Sequence, residues 1–276
     1  MSQLQTEDRA VLFIDLLGFA ALTERNCLDF EAIRRRQNVL NILKNVVGTA
    51  NPLTETFTSF QYTLKWAIEL AQMRHPLTAI TFSDSAFFVT SNLGECVGIA
   101  INLVQSLLQR RVPARAAIAW GTFAAIRFKS DVMGEWGDHA AHFLGTGVVR
   151  SNAAEKCGIK GIRILLHPSA AALLASQSSD GSIGSDIRCI RCAADELSND
   201  IGVQYEIDYW RLKRTAETIA WHAFQDMWNS APAGAVKHYE ATAQAIDRMR
   251  VGQGEAPLEN LRRRTLPRRA RPTFQS

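Results

Sequence analysis

The apolar run Val11-Leu12-Phe13-Ile14-Asp15-Leu16-Leu17-Gly18-Phe19 has the density of a buried strand, yet one carboxylate and then a glycine interrupt it. A strand core does not hold an unpaired Asp. If the strand stops at Asp15 and a helix starts after Gly18, the carboxylate stands at the sheet's edge while the amides of Leu17 to Phe19 face an anion. The same Asp also reads, more plainly, as the cap of that helix. A second carboxylate in similar company is Asp84, where two short β-prone runs, residues 78–82 and 86–90, flank the turn Ser83-Asp84-Ser85. This predicts a hairpin with Asp84 at its tip, a place where Asp is ordinary turn chemistry. Neither residue is informative alone. If the two converge, their oxygens suit a hard cation beside a triphosphate.

The rest of the pattern supplies the frame. Residues 30–47 carry an apolar stripe at helical spacing, 48–54 read as a loop, and 57–72 as helical or irregular. Residues 95–110 are so apolar that a helix there must be packed on two sides. After Pro113, residues 114–121 predict a buried strand containing a single arginine, Arg115, with 122–128 returning antiparallel to it and 130–137 as a loop. Leu144-Gly145-Thr146-Gly147 opens a helix over 148–157 that Gly158 stops. A strand at 162–166, a short helix at 168–174, a polar stretch at 176–185, strands at 186–192 and 203–209, and two helices between 210 and 250 complete the chain. Mixed strand order with helices on one face predicts an α+β sandwich of the ferredoxin-like kind.

Composition narrows the class. At 276 residues, with 47% hydrophobic and 21% charged, the chain has the make-up of an ordinary globular protein with one large core. No apolar run reaches the roughly 18 residues a bilayer requires, and residues 1–9 are polar, so a cytoplasmic location and no membrane partner are expected. Five cysteines in scattered positions argue against a disulfide framework. Cys189 and Cys192 have redox or zinc spacing, but no second ligand pair accompanies them, and residues three apart on a strand point to opposite faces. The net charge of +4 belongs to the tail: with Arg262, Arg263, Arg264, Arg268, Arg269 and Arg271 set aside it becomes −2. Those arginines are not interleaved with aromatics, so no nucleic-acid partner is expected.

Four ordered segments together resemble the catalytic domain of class III nucleotide cyclases. Phe13-Ile14-Asp15-Leu16-Leu17-Gly18-Phe19 is similar to that family's first metal motif, and Phe82-Ser83-Asp84-Ser85 to its second. Residues 115–121 resemble its Arg-x-Gly-Ile-x-x-Gly strand, and 144–158 its tryptophan-glycine segment and helix. The resemblance covers roughly residues 8–175 and implies the class III cyclase fold for residues 1–175, with a strand pair and helical extension over 176–250 and a basic tail over 251–276. It further implies that Asp15, Asp84 and the carbonyl of Leu16 hold two Mn2+ or Mg2+ ions, with the amides of Gly18 and Phe19 on the phosphates.

The departures are as informative. The positions that read a purine in the family are Ile80 and His142 here, and its transition-state Asn and Arg fall at Val149 and Ala153. Arg115 is the candidate for a catalytic cation in their place, although an arginine in an apolar strand needs an anion in any case. With both carboxylates kept and the purine readers gone, the chain is most similar to the pyrimidine cyclases of bacterial Pycsar antiphage defence. That likeness implies cyclisation of UTP or CTP by a homodimer with sites between its subunits, the product activating a separate effector. His142, Tyr62 and Phe57 are the residues expected near the base. The competing expectations are a purine cyclase with unusual base readers and an inactive cyclase fold that binds a nucleotide or a protein.

Overall fold

In the computed structural model, residues 7–29, 51–128, 140–179, 187–212 and 214–255 are described. The strand β1 (Glu7–Leu16) turns the alternation of its sequence into two faces. Ala10, Leu12, Ile14 and Leu16 enter the main core, whereas Val11 and Phe13 enter a separate cluster behind it. Asp15, next in the odd series, therefore lies on the second face. β1 pairs antiparallel with β3 (Ser85–Thr90) on one side and with β4 (Ala114–Phe128) on the other. With β2 (Thr78–Thr81), β6 (Ile164–Leu166), β7 (Cys189–Arg191) and β8 (Tyr205–Ile207), the sheet runs in the order β2-β3-β1-β4-β6-β8-β7. β5 (Ala140–Leu144) pairs with the far half of β4, and among the described residues only β4 and β6 run parallel. The architecture is the expected α+β one, a mostly antiparallel sheet with helices.

The first face is covered by α2 (Pro52–Gln72), α3 (Leu93–Gln109), α5 (Pro168–Ser179), α6 (Arg214–Ser230) and α7 (Val236–Gly252), all of which contribute to one core. α2 and α3 start where an Asn accepts backbone amides: Asn51 those of Leu53 and Thr54, Asn92 that of Glu95. The second face carries α4 (Thr146–Glu155) and two small clusters, one around Phe13 and Phe87, the other around Ala117, Ala154 and Leu165. The short α1 (Phe19–Arg25) leaves the end of β1.

Several expectations are corrected. β4 is one strand of 15 residues and does not turn back at Gly121; the antiparallel return is β5. Gly121 is in the strand because α4 approaches it, a Cβ there standing 2.6 Å from Thr146 Oγ1 and 2.8 Å from the Gly147 amide. The helix expected over 168–174 continues to Ser179, and the late strands shrink to three residues each. The helix at 30–47, the loop at 130–137 and the arginine tail lie outside the described residues. Among the described residues no helix is long and apolar enough to cross a membrane.

Candidate active site at the end of the first strand

Asp15 sits in register between Ser85 of β3 and Arg115 of β4. The next residue closes the gap to the hairpin, as the Leu16 amide donates to the Asp84 carbonyl at 2.9 Å. Leu17 then donates to the Pro113 carbonyl at 2.9 Å, and Gly18 turns the chain out through a left-handed backbone, φ 78°. The Asp84 turn is pinned from the far side too: Gln61 Nε2 of α2 donates to the carbonyls of Phe82 at 2.6 Å and Ser83 at 3.1 Å. Asp84 is half-buried and accepts a hydrogen bond from Ser83 Oγ at 3.3 Å. The fold thus draws Asp15, Leu16, Gly18, Asp84 and Arg115 to one end of β1.

The other candidates are placed less closely. Ile80 pairs with Phe87 and packs on the cluster behind β1, an apolar setting with no donor to offer a base. Phe19 packs toward the main core. Phe57 and Tyr62 belong to α2 on the opposite face, where the Arg110 guanidinium lies 5.2 Å from the Tyr62 ring centroid. The backbone of His142 pairs with Ile126 in β5, and its side chain lies outside the described residues.

The anion that Arg115 requires is Glu155, at the end of α4. Arg115 Nε donates to Glu155 Oε1 at 2.7 Å, Nη2 stands 2.6 Å from the same oxygen, and Nη1 donates to the Ile159 carbonyl at 2.6 Å. The Glu155 side chain is 2% exposed and that of Arg115 12%, so each is the other's neutralising partner in a low-dielectric setting. Sequence reasoning missed Glu155. The signal for some acid was there, but which acid depends on how α4 folds back 40 residues later.

Asp15 is half-buried, and its carboxyl is raised to about 7, first by burial, then by the negative charges of Glu155 and Asp84, against the opposing pull of Arg115 and Lys156. A carboxylate crowded by other carboxylates is relieved by a cation. Among the described residues no group of three or more His, Cys, Asp and Glu side chains stands ready to hold a metal ion. Two carboxylates nevertheless match what a hard cation takes from a protein when phosphate oxygens and water supply the remaining ligands. The donor set therefore fits Mg2+ or Mn2+, with Asp15, Asp84 and the Leu16 carbonyl as the residues to hold it.

Beside these carboxylates the second face is aromatic. Phe13 and Phe87 have ring centroids 4.6 Å apart, Phe87 and Phe143 5.4 Å, and Phe82, 44% exposed, leans on both Phe87 and Phe143. Val149 of α4 is 68% exposed and Leu144 52%. Elsewhere, Cys189 at the start of β7 is exposed and Cys192, just past its end, is buried.

Neither a family model nor a curated protein matches the chain. Solved structures do. The guanylate cyclase domain of RhGC from Catenaria anguillulae, in complex with GTP, superposes at a TM-score of 0.48 with 11% identity over 73% of this chain and 96% of its own. A bacterial light-regulated adenylyl cyclase gives 0.47, with 11% identity over 79% of this chain and 99% of its own. An adenylate cyclase from Trypanosoma brucei gives 0.45, with 11% identity over 74% and 89%.

Proposed function

We propose that the chain is a metal-dependent nucleotide cyclase acting on a pyrimidine nucleoside triphosphate, UTP or CTP. The observation that carries this reading is the backbone bond from Leu16 to Asp84, which brings two carboxylate-bearing residues 69 positions apart to one end of one strand. The motif resemblance, not the superpositions, supplies the reaction class. Asp15, Asp84 and the Leu16 carbonyl would hold two Mg2+ or Mn2+ ions, and the turn at Gly18 and Phe19 would receive the phosphates. When bound, the cations neutralise the triphosphate and lower the pKa of the ribose 3′-hydroxyl. The 3′-hydroxyl releases its proton to water, its oxygen bonds to the α-phosphorus as the bond to the β-phosphate oxygen breaks, and pyrophosphate leaves.

Arg115 is placed one strand away from Asp15, and its guanidinium is engaged by Glu155 and Ile159. In this reading the Arg115–Glu155 pair borders the phosphate site, and Arg115 offsets part of the negative field of Glu155 at Asp15. The base would be taken on an apolar, aromatic wall, since Ile80 replaces a hydrogen-bonding residue with an alkyl chain. That suits a small pyrimidine ring held without a purine-specific donor pair. The site would close between two copies of the chain, and the exposed apolar Phe82, Leu144 and Val149 favour a partner on that face. A signal to a separate effector in antiphage defence completes the proposal.

The test is to offer purified protein each of the four triphosphates with Mn2+ and measure pyrophosphate and cyclic product. A cyclic pyrimidine nucleotide is expected. Preferential turnover of GTP or ATP would assign a purine cyclase instead, and no product from any triphosphate would leave an inactive fold.

A further inference from the structure

The stretch 157–163 is gripped from two sides. On one side its Ile159 carbonyl accepts Arg115 Nη1, and the Arg163 carbonyl accepts the amide of Ala116, the neighbour of Arg115, at 2.8 Å. On the other side it is seated on α7. The Ile162 amide donates to Thr242 Oγ1 at 2.9 Å, the Gly161 amide to His238 Nδ1 at 3.4 Å, and Tyr209 donates its hydroxyl to the Ile162 carbonyl at 2.7 Å. Thr242 is fully buried and spends its own proton on the His238 carbonyl at 2.7 Å, so a lone pair is left for Ile162. Helix and loop touch with no room between them: at Gly161, φ 100°, a Cβ would stand 2.9 Å from Thr242 Oγ1 and 3.0 Å from its amide.

A charge cluster repeats the connection one residue later. Arg163, with no exposed side-chain surface, donates to both Glu206 and Glu196, and Arg248 of α7 donates to Glu206 Oε1 at 3.0 Å and lies 3.5 Å from Glu196 Oε2. Burying this many charges requires each to keep its partners, which fixes α7 against the strand that follows the loop.

We infer that α7 is a positioning element of the candidate site, with Thr242 as its key residue. Through Ile162 and the Ile159 carbonyl, Thr242 sets the fork of Arg115 and so the Arg115–Glu155 pair beside Asp15. The acceptor for Nη1 is a loop carbonyl, and hydrogen bonds weaken steeply with displacement. If the loop shifts, the guanidinium must follow it or give up that bond. The kinetic consequence rests on the cyclase reading; the geometric coupling does not.

The experiment compares full-length wild type with Thr242→Val, Thr242→Ser and Arg248→Met. Thr242→Val keeps the volume but leaves the Ile162 amide without its acceptor. The readouts are the Arg115 Nε–H resonance, assigned with Arg115→Lys, and kcat and KM with the triphosphate that the wild type turns over. In Thr242→Val the Arg115 Nε–H should exchange with water about tenfold faster, and kcat should fall about tenfold with KM within about twofold, since misplacement acts on the chemical step. Thr242→Ser should restore both. A folded Thr242→Val protein with unchanged Arg115 exchange and kcat overturns the inference. Should that variant not fold, Arg248→Met takes the same readouts with the same reading. If the wild type makes no product, the cyclase reading fails while the Arg115 resonance still decides the coupling.

Discussion

The two faces of the central sheet are built from alternate residues of the same strands and have opposite characters. On the first, Leu12, Ile14, Phe88 and Ile118 join five helices in one continuous core. On the second, two small apolar clusters meet across β1 and β4 and border a charged seam of Asp15, Arg115 and Glu155 at the strand end, and aliphatic and aromatic side chains stay open to solvent. One face holds the molecule together, and the other holds groups that are expensive to bury and useful to a charged ligand. Substitutions on the two faces should therefore fall into different classes of effect.

The largest expected effect is on turnover. Under the proposed function, Asp15→Asn or Asp84→Asn should lower cyclase activity by about a thousandfold or more, since each removes a proposed ligand to the cation, while leaving the thermal midpoint unchanged or higher. Phe88→Ala, on the core face, should do the reverse. It leaves a cavity under a fully buried ring and should cost about 3–5 kcal/mol in urea unfolding, with specific activity per folded molecule kept. If Asp15→Asn unfolds the protein, or turnover survives it, the division of labour between the faces is wrong.

Glu155→Gln sharpens the same contrast from within the second face. It leaves a nearly buried guanidinium facing a neutral amide, so a stability loss of about 3 kcal/mol is expected, near the low end for a broken buried pair because Arg115 retains the Ile159 carbonyl and some solvent. It also removes the stronger of the two negative-charge effects on Asp15, whose carboxyl should titrate lower. Equilibrium unfolding and carboxyl titration by NMR read the two effects separately. A Glu155→Gln protein as stable as wild type would mean that the pair is not the anchor of α4.

How much of this was legible in advance depends on how far apart the cooperating residues are. The strand end at Asp15 and the turn at Gly18 could be read because the strand alternation and the left-handed glycine are properties of adjacent residues. The two-sided packing of α3 was visible in its own periodicity. Gly121 misled, because a glycine that ends a strand and one that admits a neighbouring helix look the same, and the helix begins only at Thr146. Arg115 announced the need for an acid without naming Glu155. The role of α7 was hidden altogether: the contact that seats it, Thr242 on Ile162, spans 80 residues and involves one hydroxyl on an otherwise unremarked helix.

The smallest effect is the one that ties the charged seam to pH. A carboxyl held at about 7 in the fold, against an ordinary value of 3.8, keeps its proton in the folded chain where the unfolded chain has released it. Stability from this group is therefore greatest below about pH 4, declines as the pH rises through 4 to 7, and stays low above. Asp15 is partly open to water, so the discounted magnitude is about 1–2 kcal/mol rather than the full value of such a shift. In the absence of divalent cations, wild type should lose that much more stability than Asp15→Asn between pH 4 and pH 8. Adding Mn2+ at pH 8 should return it to wild type alone, since an ion that binds only the folded carboxylates stabilises by mass action. Equal losses in both proteins would show that burial and the charges of Glu155 and Asp84 do not raise the Asp15 carboxyl. A pH difference that Mn2+ leaves untouched would keep the crowded carboxylate and remove the cation it is proposed to hold.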